Sequence, residues 1–355
     1  MAENYYRFDQ ATLKDFAARL LEAAGTPGPH ARLTAESLVQ ADLRGVDSHG
    51  VQLLTFYLER IARGEVDPRA AGRVVSEQGA CLLYDGQNGL GQVVSDICCG
   101  HAVRLAKQYG LSLVVARDSN HFGAAAFWAL RISSAGLIGI VMCNATGQVP
   151  PWQGREGRLG TNPICMSVPG EDGRPWLLDM ATTAVAAGKI YKAYFAGEPS
   201  VPAGWALDRE GRPTTDTKEA YHGLLMPLGG YKGYGLAMMV EILSGVLGGG
   251  AMASEVGGVR TVGRPARNSQ TFLGIDVARF MPLGVFRERM QRLVADVKSA
   301  PPAAGYDEVL VAGEPEWRAQ QLRSAQGIPL SRGVWEKLTA AARRLGVDIP
   351  PARES

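Results

Sequence analysis

The sequence predicts a mixed α/β fold in which helices from both chain ends form one subdomain around an inserted α/β domain. Two patterns predict it. Residues 9–66 and the C-terminal 286–345 carry helical periodicity, whereas from about Val74 short β-prone runs alternate with turns and helices. We therefore expect a helical part over 1–73, an α/β domain over 74–284 and a C-terminal part, 285–355, that mostly returns to the helices.

Each element is predicted from apolar spacing and from the Gly and Pro residues that punctuate it. In the first helix, Leu13, Phe16, Leu20 and Leu21 share one face. The predicted helices cover 11–24, 31–45, 51–62, 91–109, 124–135, 235–247, 286–298, 316–323 and 334–345. The predicted strands cover 80–84, 111–116, 138–144, 163–168, 176–179 and 271–276, and 196–227 is a long Gly/Pro-rich stretch.

Composition excludes several classes of partner. The chain has 355 residues and a formal net charge of +2, with basic residues dispersed rather than clustered, so neither nucleic acid nor a membrane surface is expected. The apolar run 236–253 contains Glu241 and three consecutive glycines, which predicts a buried helix rather than a membrane span. Five cysteines without a Cys-x-x-Cys pair, and an N-terminus without a signal-peptide pattern, predict free thiols in a cytoplasmic protein.

Familiar cofactor motifs are missing from the sequence. We find no Gly-x-Gly-x-x-Gly after a strand, so a standard Rossmann nucleotide site is not predicted. There is no phosphate-binding Gly-x4-Gly-Lys-Ser/Thr motif and no His-Glu-x-x-His. The histidines have no acidic or cysteine neighbours at metal-ligand spacing, so no metal site is expected.

Three short polar clusters point to a site assembled from distant segments. They are Asp47–Gly50, Ser119–Gly123 and Gly229–Gly235, and two of the five histidines, His49 and His121, lie in them. Histidine suits proton transfer near neutral pH. His49 follows a predicted helix, whose dipole is expected to hold the pKa of the imidazole up. For each histidine the alternative is a structural role at a helix end.

Other polar residues admit more than one reading from the sequence. Asp179 follows an apolar strand, where it binds a ligand or caps the next segment. Lys232 lies among glycines and either binds an anion or is a solvated lysine. Ser48 hydrogen-bonds a substrate, orients His49 or caps the helix, and Thr161 lies in a Gly-Thr-Asn-Pro turn that lines a site or is only a turn.

Taken in order, these motifs resemble the malate/L-lactate dehydrogenase family, which is unrelated to the Rossmann lactate dehydrogenases. That family also includes sulfolactate, ureidoglycolate, diketogulonate and piperideine-carboxylate oxidoreductases. The resemblance spans about 9–350, and its last motif is Ala-Gly-Glu where the family usually has Pro-Gly-Glu. The matching segments are 41–50, 120–123, 160–163, 179–182, 229–236 and 312–314.

The resemblance implies a non-Rossmann, dimeric enzyme that transfers a hydride between NAD or NADP and a 2-oxo acid/2-hydroxy acid pair. A cyclic imine with a 2-carboxylate is the alternative substrate, and a non-catalytic dimeric scaffold is a less favoured reading. His49 and His121 become the acid/base candidates, and Ser48, with Arg44 and Thr161, lies on the substrate side. The implied cofactor contacts are Asp179, Met180, Ala181, Tyr231, Lys232, Gly313 and Glu314.

One departure from the family pattern concerns the substrate. Many members carry Arg four residues after the first motif histidine, where it can clamp a carboxylate. This chain has Leu53 there. Either another cation, such as Arg44 or Lys232, holds the carboxylate, or the substrate is larger and more apolar at this point. Small dianionic substrates such as malate are therefore disfavoured.

Overall fold

The computed structural model describes residues 5–171, 173–261 and 263–354. A mixed sheet forms its centre, and two small sheets lie outside it. The strands are β1 (Tyr5–Phe8), β2 (Arg73–Gln78), β3 (Cys81–Asp85), β4 (Leu111–Ser119), β5 (Leu137–Cys143), β6 (Ile164–Val168), β7 (Trp176–Met180), β8 (Ala206–Leu207), β9 (Pro213–Thr214), β10 (Leu224–Leu225), β11 (Asn268–Asp276), β12 (Ile328–Ser331) and β13 (Arg353–Glu354).

The helices alternate with these strands through the middle of the chain and flank them at both ends. They are α1 (Gln10–Ala23), α2 (Gly28–Leu43), α3 (Leu54–Ala62), α4 (Gly91–Tyr109), α5 (Ala125–Ser133), α6 (Ala187–Phe195), α7 (Thr217–His222), α8 (Tyr231–Glu241), α9 (Leu283–Lys298), α10 (Glu314–Gln326) and α11 (Arg332–Leu345). Short 3-10 turns cover Asp47–His49 and Val51–Leu53, and a π-helical turn, Ile242–Val246, continues α8.

The central sheet has the order β2-β3-β4-β11-β5-β6-β7. Only the β3–β4 pair within it is parallel, and α4 supplies the crossover that a parallel connection needs. β11 lies between β4 and β5, so that Thr271 pairs with Val115 on one side and Met142 on the other. A strand from late in the chain thereby ties together two strands from its middle.

Helices cover both faces of this sheet. α4 and α5 bury Trp128 and Phe272 on one face. On the other face the π-helical turn packs through Ser244, whose hydroxyl lies 3.0 Å from that of Thr271. Because successive strand residues point to opposite faces, Thr271 and Phe272 serve different layers.

The helical layer is built from both chain ends, as the sequence predicts. One apolar core joins side chains of α1, α2 and α3 to those of α11 and β12. The Trp335 ring lies 4.5 Å from that of Phe8 and 5.6 Å from that of Phe16, measured between centroids. β1 pairs with β12 and β13, which fixes the C-terminus to the N-terminus. The mixed α/β fold class is confirmed; the predicted boundaries at residues 73 and 284 stay predictions.

Several elements escape the sequence analysis. The stretch 196–227 contains α7 and the small β8–β10 sheet, whose two-residue strands are too short to show a period. β2 and α6 were not predicted either; all six residues of β2 are exposed, so the strand has no apolar face. α8 begins at Tyr231, before the glycine at which the predicted helix starts. In the described residues, no helix combines the length and apolarity needed to cross a membrane.

Candidate active site

His49 is presented by a tight turn that follows α2. Asp42, buried near the end of α2, accepts a hydrogen bond of 2.8 Å from the N–H of Val51 and so closes the turn around the histidine. Gly50 makes this closure possible, because a Cβ atom there would lie 1.8 Å from Asp42 Oδ1. Arg323 on α10 contacts Asp47 and the carbonyl of Asp42 from outside the turn. The turn is therefore fixed on both sides.

The imidazole of His49 is held by its neighbour in the chain. Ser48 Oγ lies 3.0 Å from His49 Nδ1, which leaves Nε2 for a ligand. Burial lowers the pKa of His49 to about 4, and the charge of Arg260 adds to this effect. The prediction that a helix dipole holds this pKa up is wrong. His49 stands six residues beyond the end of α2, where the dipole has faded and burial dominates.

His121 lies at the end of β4, where the backbone is fixed by Asn120. The side-chain amide of Asn120 donates to the carbonyls of Asn88 and Gly89 at 3.0 and 2.8 Å. His121 Nδ1 lies 2.7 Å from the hydroxyl of Tyr57 and accepts a 3.3 Å bond from the N–H of Gly123. An Nδ1 that accepts an N–H bond carries no proton, so we assign the Nε2–H tautomer to His121.

The two imidazoles form a pair, with ring centroids 5.6 Å apart and planes inclined by 18°. The pKa of His121 is lowered to about 3, mainly by burial and to a smaller extent by the charges of His49, Arg260 and Arg60. Both rings are therefore neutral at pH 7 in this state of the site. The arrangement sets the two imidazoles side by side on one wall of the site.

That wall belongs to a cleft of about 1390 Å³. The two histidines, Ser48 and Leu53 lie on it together with residues of α5, α6, α10 and the 257–261 loop. The predicted site residues that line this cleft are Arg44, Ser48, His49, His121, Thr161, Asp179, Ala181, Gly313 and Glu314.

Asp179 connects two elements of the cleft. From the end of β7 its Oδ2 accepts a 2.9 Å bond from the N–H of Ala126, in the first turn of α5. It thus caps a helix, but one that precedes it by some fifty residues rather than the one that follows. Asp179 is exposed to the cleft, but the protein groups around it displace water from its carboxylate and raise its pKa to about 6, although the Ala126 bond opposes the shift.

Arg44 and the start of α10 line the same part of the cleft. Arg44 Nη1 donates to Gln320 Oε1 at 3.1 Å, and burial lowers the pKa of its guanidinium. Gly313 has φ +88°, which suits glycine, and a Cβ there would lie 2.9 Å from Leu177 Cβ. Glu314, the first residue of α10, pairs with Lys298 at 2.5 Å.

The residues present fit a dinucleotide cofactor. Two buried polar atoms of the cleft, Arg44 Nε and Thr146 Oγ1, have no hydrogen-bond partner within the described ranges. The start of α5 lines the same space through the small side chains of Ala124, Ala125 and Ala126, and the N–H of Ala126 is bonded there to Asp179. A ligand that is both anionic and rich in hydroxyl groups satisfies these groups.

Three predicted cofactor residues lie away from this lining. Met180 is half-buried beside it, and Tyr231 and Lys232 are exposed in the first turn of α8, where the Tyr231 ring packs against Trp152 at 6.1 Å. A cofactor role for these three rests on the resemblance and stays a prediction. Among the described residues, no three His, Cys, Asp or Glu side chains converge in a way that could hold a metal ion.

Sequence reasoning missed other residues of the site. Tyr57 counts as a core position of an amphipathic helix in the sequence, and its link to His121 arises only from the fold. Gln92, fully buried on α4, donates to the Tyr57 hydroxyl at 3.0 Å. Arg260 lies in a glycine-rich loop without periodicity. A polar residue at an apolar helix position, such as Gln92, is the one signal that could have been followed.

Comparison with known proteins gives consistent matches over nearly the full chain. The model of the malate/L-lactate dehydrogenase family matches residues 8–339. The malate dehydrogenase of Pyrococcus horikoshii is 40% identical over 354 residues, covering 98% of this chain and 97% of that protein. The ureidoglycolate dehydrogenase (NAD(+)) of Escherichia coli K12 is 34% identical over 338 residues, covering 95% and 96%.

Solved structures agree with these matches. The structure of malate dehydrogenase from Pyrococcus horikoshii OT3 has a TM-score of 0.89 at 38% identity, with 97% of each chain covered. The δ1-piperideine-2-carboxylate reductase of Pseudomonas syringae has a TM-score of 0.84 at 28% identity, covering 95% of this chain and 99% of that one. The resemblance inferred from the short motifs is confirmed.

Proposed function

Because the chain belongs to the malate/L-lactate dehydrogenase family, we propose that it uses NAD or NADP to interconvert a 2-oxo acid and a 2-hydroxy acid with an apolar or larger side chain. The observation that carries this proposal is the pair of neutral, parallel imidazoles on one wall of a cleft large enough for a dinucleotide and an acid. A bound nicotinamide supplies or removes the hydride. The side chains of the cleft manage the proton and the charge.

The two neutral histidines differ in their contacts at Nδ1, which fix the tautomer of His121 but not that of His49, and this difference suggests different roles. His121 keeps its proton on Nε2, because Gly123 and Tyr57 occupy Nδ1, and it is suited to donate a hydrogen bond to the oxygen at C2 of the substrate. The hydroxyl of Ser48 can rotate to donate to His49 Nδ1 or accept from it. His49 can therefore gain and lose a proton at Nε2 without losing its partner, and we assign it the acid/base role.

Charge in the cleft controls the protonation state of His49 and therefore the direction of the reaction that the site can begin. In the empty site the lowered pKa of His49 favours the neutral base, which accepts the proton of a hydroxy acid. An anionic substrate offsets the nearby positive charge of Arg260 and raises that pKa, so that His49 can be protonated when it must deliver a proton to the oxo group. Substrate binding and proton uptake are thus coupled.

A cyclic imine with a 2-carboxylate is the second candidate substrate. The Pseudomonas syringae reductase, whose name states such an activity, has the same fold over 95% of this chain. An imine nitrogen needs one proton as it becomes an amine, and His49 is placed to supply it as it does for an oxygen.

We also propose a cytoplasmic homodimer. The outer face of α8 and its π-helical continuation exposes an apolar stripe, which a second copy of the chain can cover: Met238, Met239, Ile242 and Val246. The five cysteines are free and four are buried, which suits a reducing compartment. Light scattering of the protein and of Ile242→Glu tests the dimer; a monomeric wild type contradicts it.

The enzymatic proposal is tested by incubating the protein with NADH or NADPH and a panel of 2-oxo acids and cyclic imines, followed at the nicotinamide absorbance. We expect turnover with at least one acid, and a loss of about 100-fold or more in both His49→Ala and His121→Ala with little change in nucleotide affinity. Turnover within a few-fold of wild type in both variants contradicts the proposal.

A further inference from the structure

Arg260 places a positive charge near the histidine pair, and this charge is not neutralised by any ion pair within the described residues. Its guanidinium carbon lies 5.4 Å from the ring centroid of Phe56 and 5.7 Å from that of Tyr191, and its side chain is exposed to the cleft. Within 5–171, 173–261 and 263–354 it forms neither an ion pair nor a hydrogen bond. A guanidinium stacked on aromatic rings is held in orientation while its N–H groups stay free.

The two rings under Arg260 belong to the elements that present the site. Phe56 stands one helical turn after Leu53 and next to Tyr57, the partner of His121. Tyr191 stands one turn after Gly188, where a Cβ atom would lie 3.5 Å from Ser48 Cβ. Arg260 therefore lies where the walls carrying His49 and His121 meet, in agreement with the effect of its charge on both imidazoles.

A buried ion pair fixes the loop that carries Arg260. Arg60, whose side chain is 2% exposed, donates to the carbonyls of Gly258 at 3.0 Å, Thr261 at 2.7 Å and Arg264 at 3.0 Å. Its partner Glu65 accepts a 2.7 Å bond from the N–H of Gly263. These bonds fix described backbone groups on both sides of Arg260, so less ordering remains when a ligand binds its guanidinium.

Most other basic side chains that line the cleft already form an ion pair or a hydrogen bond with a neighbouring side chain. Lys298 pairs with Glu314, and Arg131 pairs with Asp96. Arg174 is stacked in the same way as Arg260, on Trp317 of α10 at 4.2 Å from its ring centroid, but its charge is not among those that shift the pKa of His49 or His121.

Two further cations remain to be compared with Arg260. Arg44 is bonded to Gln320 through Nη1 and is close enough to Asp179 for their charges to interact, and its unpartnered Nε is one of the groups that fit the dinucleotide. Lys189, on α6, is exposed on the cleft wall and is the competing candidate.

We propose that Arg260 binds the carboxylate of the substrate, and that Leu53 contacts the apolar remainder of the molecule. Two parallel N–H···O bonds from a guanidinium match a carboxylate. Leu53, 2% exposed, offers no partner to a second carboxylate, so the site selects 2-oxo monocarboxylates with an apolar or aromatic tail over compact dianions. This inference rests on the proposed function.

The test compares Arg260→Met, which keeps an apolar stem on the two rings, with Arg63→Ala, which removes an exposed arginine at the end of α3. We expect Arg260→Met to raise the KM for phenylpyruvate about ten- to a hundredfold, with a smaller change in kcat. Calorimetry with the unreactive acid 3-phenylpropionate should show the same loss of affinity. NADH and NADPH should bind as they do to the wild type, and Arg63→Ala should match the wild type throughout.

Adding Leu53→Arg to Arg260→Met should restore part of the affinity for the acid, and Leu53→Arg alone should raise the kcat/KM ratio of oxaloacetate to phenylpyruvate. Unchanged acid binding in Arg260→Met, a larger loss in Lys189→Ala, or a loss confined to nucleotide binding overturns the inference. So does a wild type that does not bind 3-phenylpropionate at millimolar concentration. Calorimetry needs no turnover, so it separates this outcome from a failure of the proposed activity.

Discussion

Replacing Tyr57 with phenylalanine removes one oxygen atom that joins two buried groups. The hydroxyl lies 2.7 Å from His121 Nδ1 and accepts a 3.0 Å bond from Gln92 Nε2. Gln92 is fully buried, and its Oε1 has no hydrogen-bond partner within the described residues. The substitution also removes the acceptor of the hydrogen bond from Gln92 Nε2, so that neither polar atom of this buried amide keeps a described partner.

The effect on stability follows from these contacts. A buried donor left without a partner destabilises a protein by about 1–3 kcal/mol. The change in volume is small, so this unmade hydrogen bond dominates. We expect the free energy of unfolding to fall by about 2 kcal/mol.

The effect on turnover follows from the tautomer of His121. Without the hydroxyl, only the 3.3 Å bond from Gly123 keeps the proton off Nδ1. Molecules that carry the proton on Nδ1 have no Nε2–H for the substrate oxygen. A weakening of about 1.4–2.8 kcal/mol in the transition state lowers kcat about ten- to a hundredfold, while nucleotide affinity stays unchanged.

A matched control is available in Tyr84. Its hydroxyl donates to the carbonyl of Ala71 at 2.8 Å, and the residue neither lines the cleft nor belongs to the described contacts of His49 and His121, so Tyr84→Phe should lower stability without changing kcat. Urea unfolding and steady-state kinetics of both variants provide the comparison. A kcat of Tyr57→Phe within twofold of wild type would refute the assigned tautomer.

Three further predictions concern the turn, the cofactor end of the cleft and pH. Gly50→Ala forces a Cβ atom against Asp42, so we expect a loss of about 1–3 kcal/mol in urea unfolding, whereas Gly100→Ala, where nothing lies within 4 Å, should not destabilise. Because the pKa of Asp179 is about 6, nucleotide affinity, measured by fluorescence titration, should weaken as the pH falls through 6. The affinity of Asp179→Asn should not change with pH over that range. An equal pH dependence of affinity in both proteins contradicts a cofactor contact. His49 binds a proton near pH 4 in the folded protein and near pH 6.5 in the unfolded chain, so it makes the free energy of unfolding fall as the pH drops from about 6.5 to 4. In urea unfolding, the free energy of His49→Gln should therefore depend less on pH over that window, by at most about 1.4 kcal/mol per pH unit. An unchanged slope would mean that His49 titrates normally.

The long periodic segments could be predicted from the sequence because their burial is one-sided. α1 and α11 each carry an apolar face that packs into a common core, and in α1 the spacing of Leu13, Phe16 and Leu20 shows this face in the sequence. β2 has six exposed residues and no periodic apolar spacing, and its strand conformation comes from pairing with β3. Where backbone pairing rather than burial decides the structure, side-chain patterns carry little information.

The same distinction applies to the site. His49 and His121 stand in short polar clusters, so local sequence points to both. Arg260 and Tyr57 act through neighbours that are distant in sequence, and only the fold brings them together. Leu53 departs from the family pattern, and local sequence does not show which cation replaces the arginine. Of the two that it suggests, Arg44 is bonded to Gln320 and Lys232 lies outside the cleft lining.

The central claim is that this cleft transfers a hydride between a nicotinamide and C2 of an acid while His49 and His121 manage the proton. The most direct test is to supply NADH and NADPH deuterated at C4 of the nicotinamide together with phenylpyruvate, and to locate the deuterium in the product by mass spectrometry and NMR. We predict one deuterium at C2 of phenyllactate with wild type, and product formation slowed about 100-fold or more in His49→Ala and His121→Ala. A nucleotide that binds but leaves no deuterium at C2 of this acid, of any other 2-oxo acid or of a cyclic imine would contradict the account.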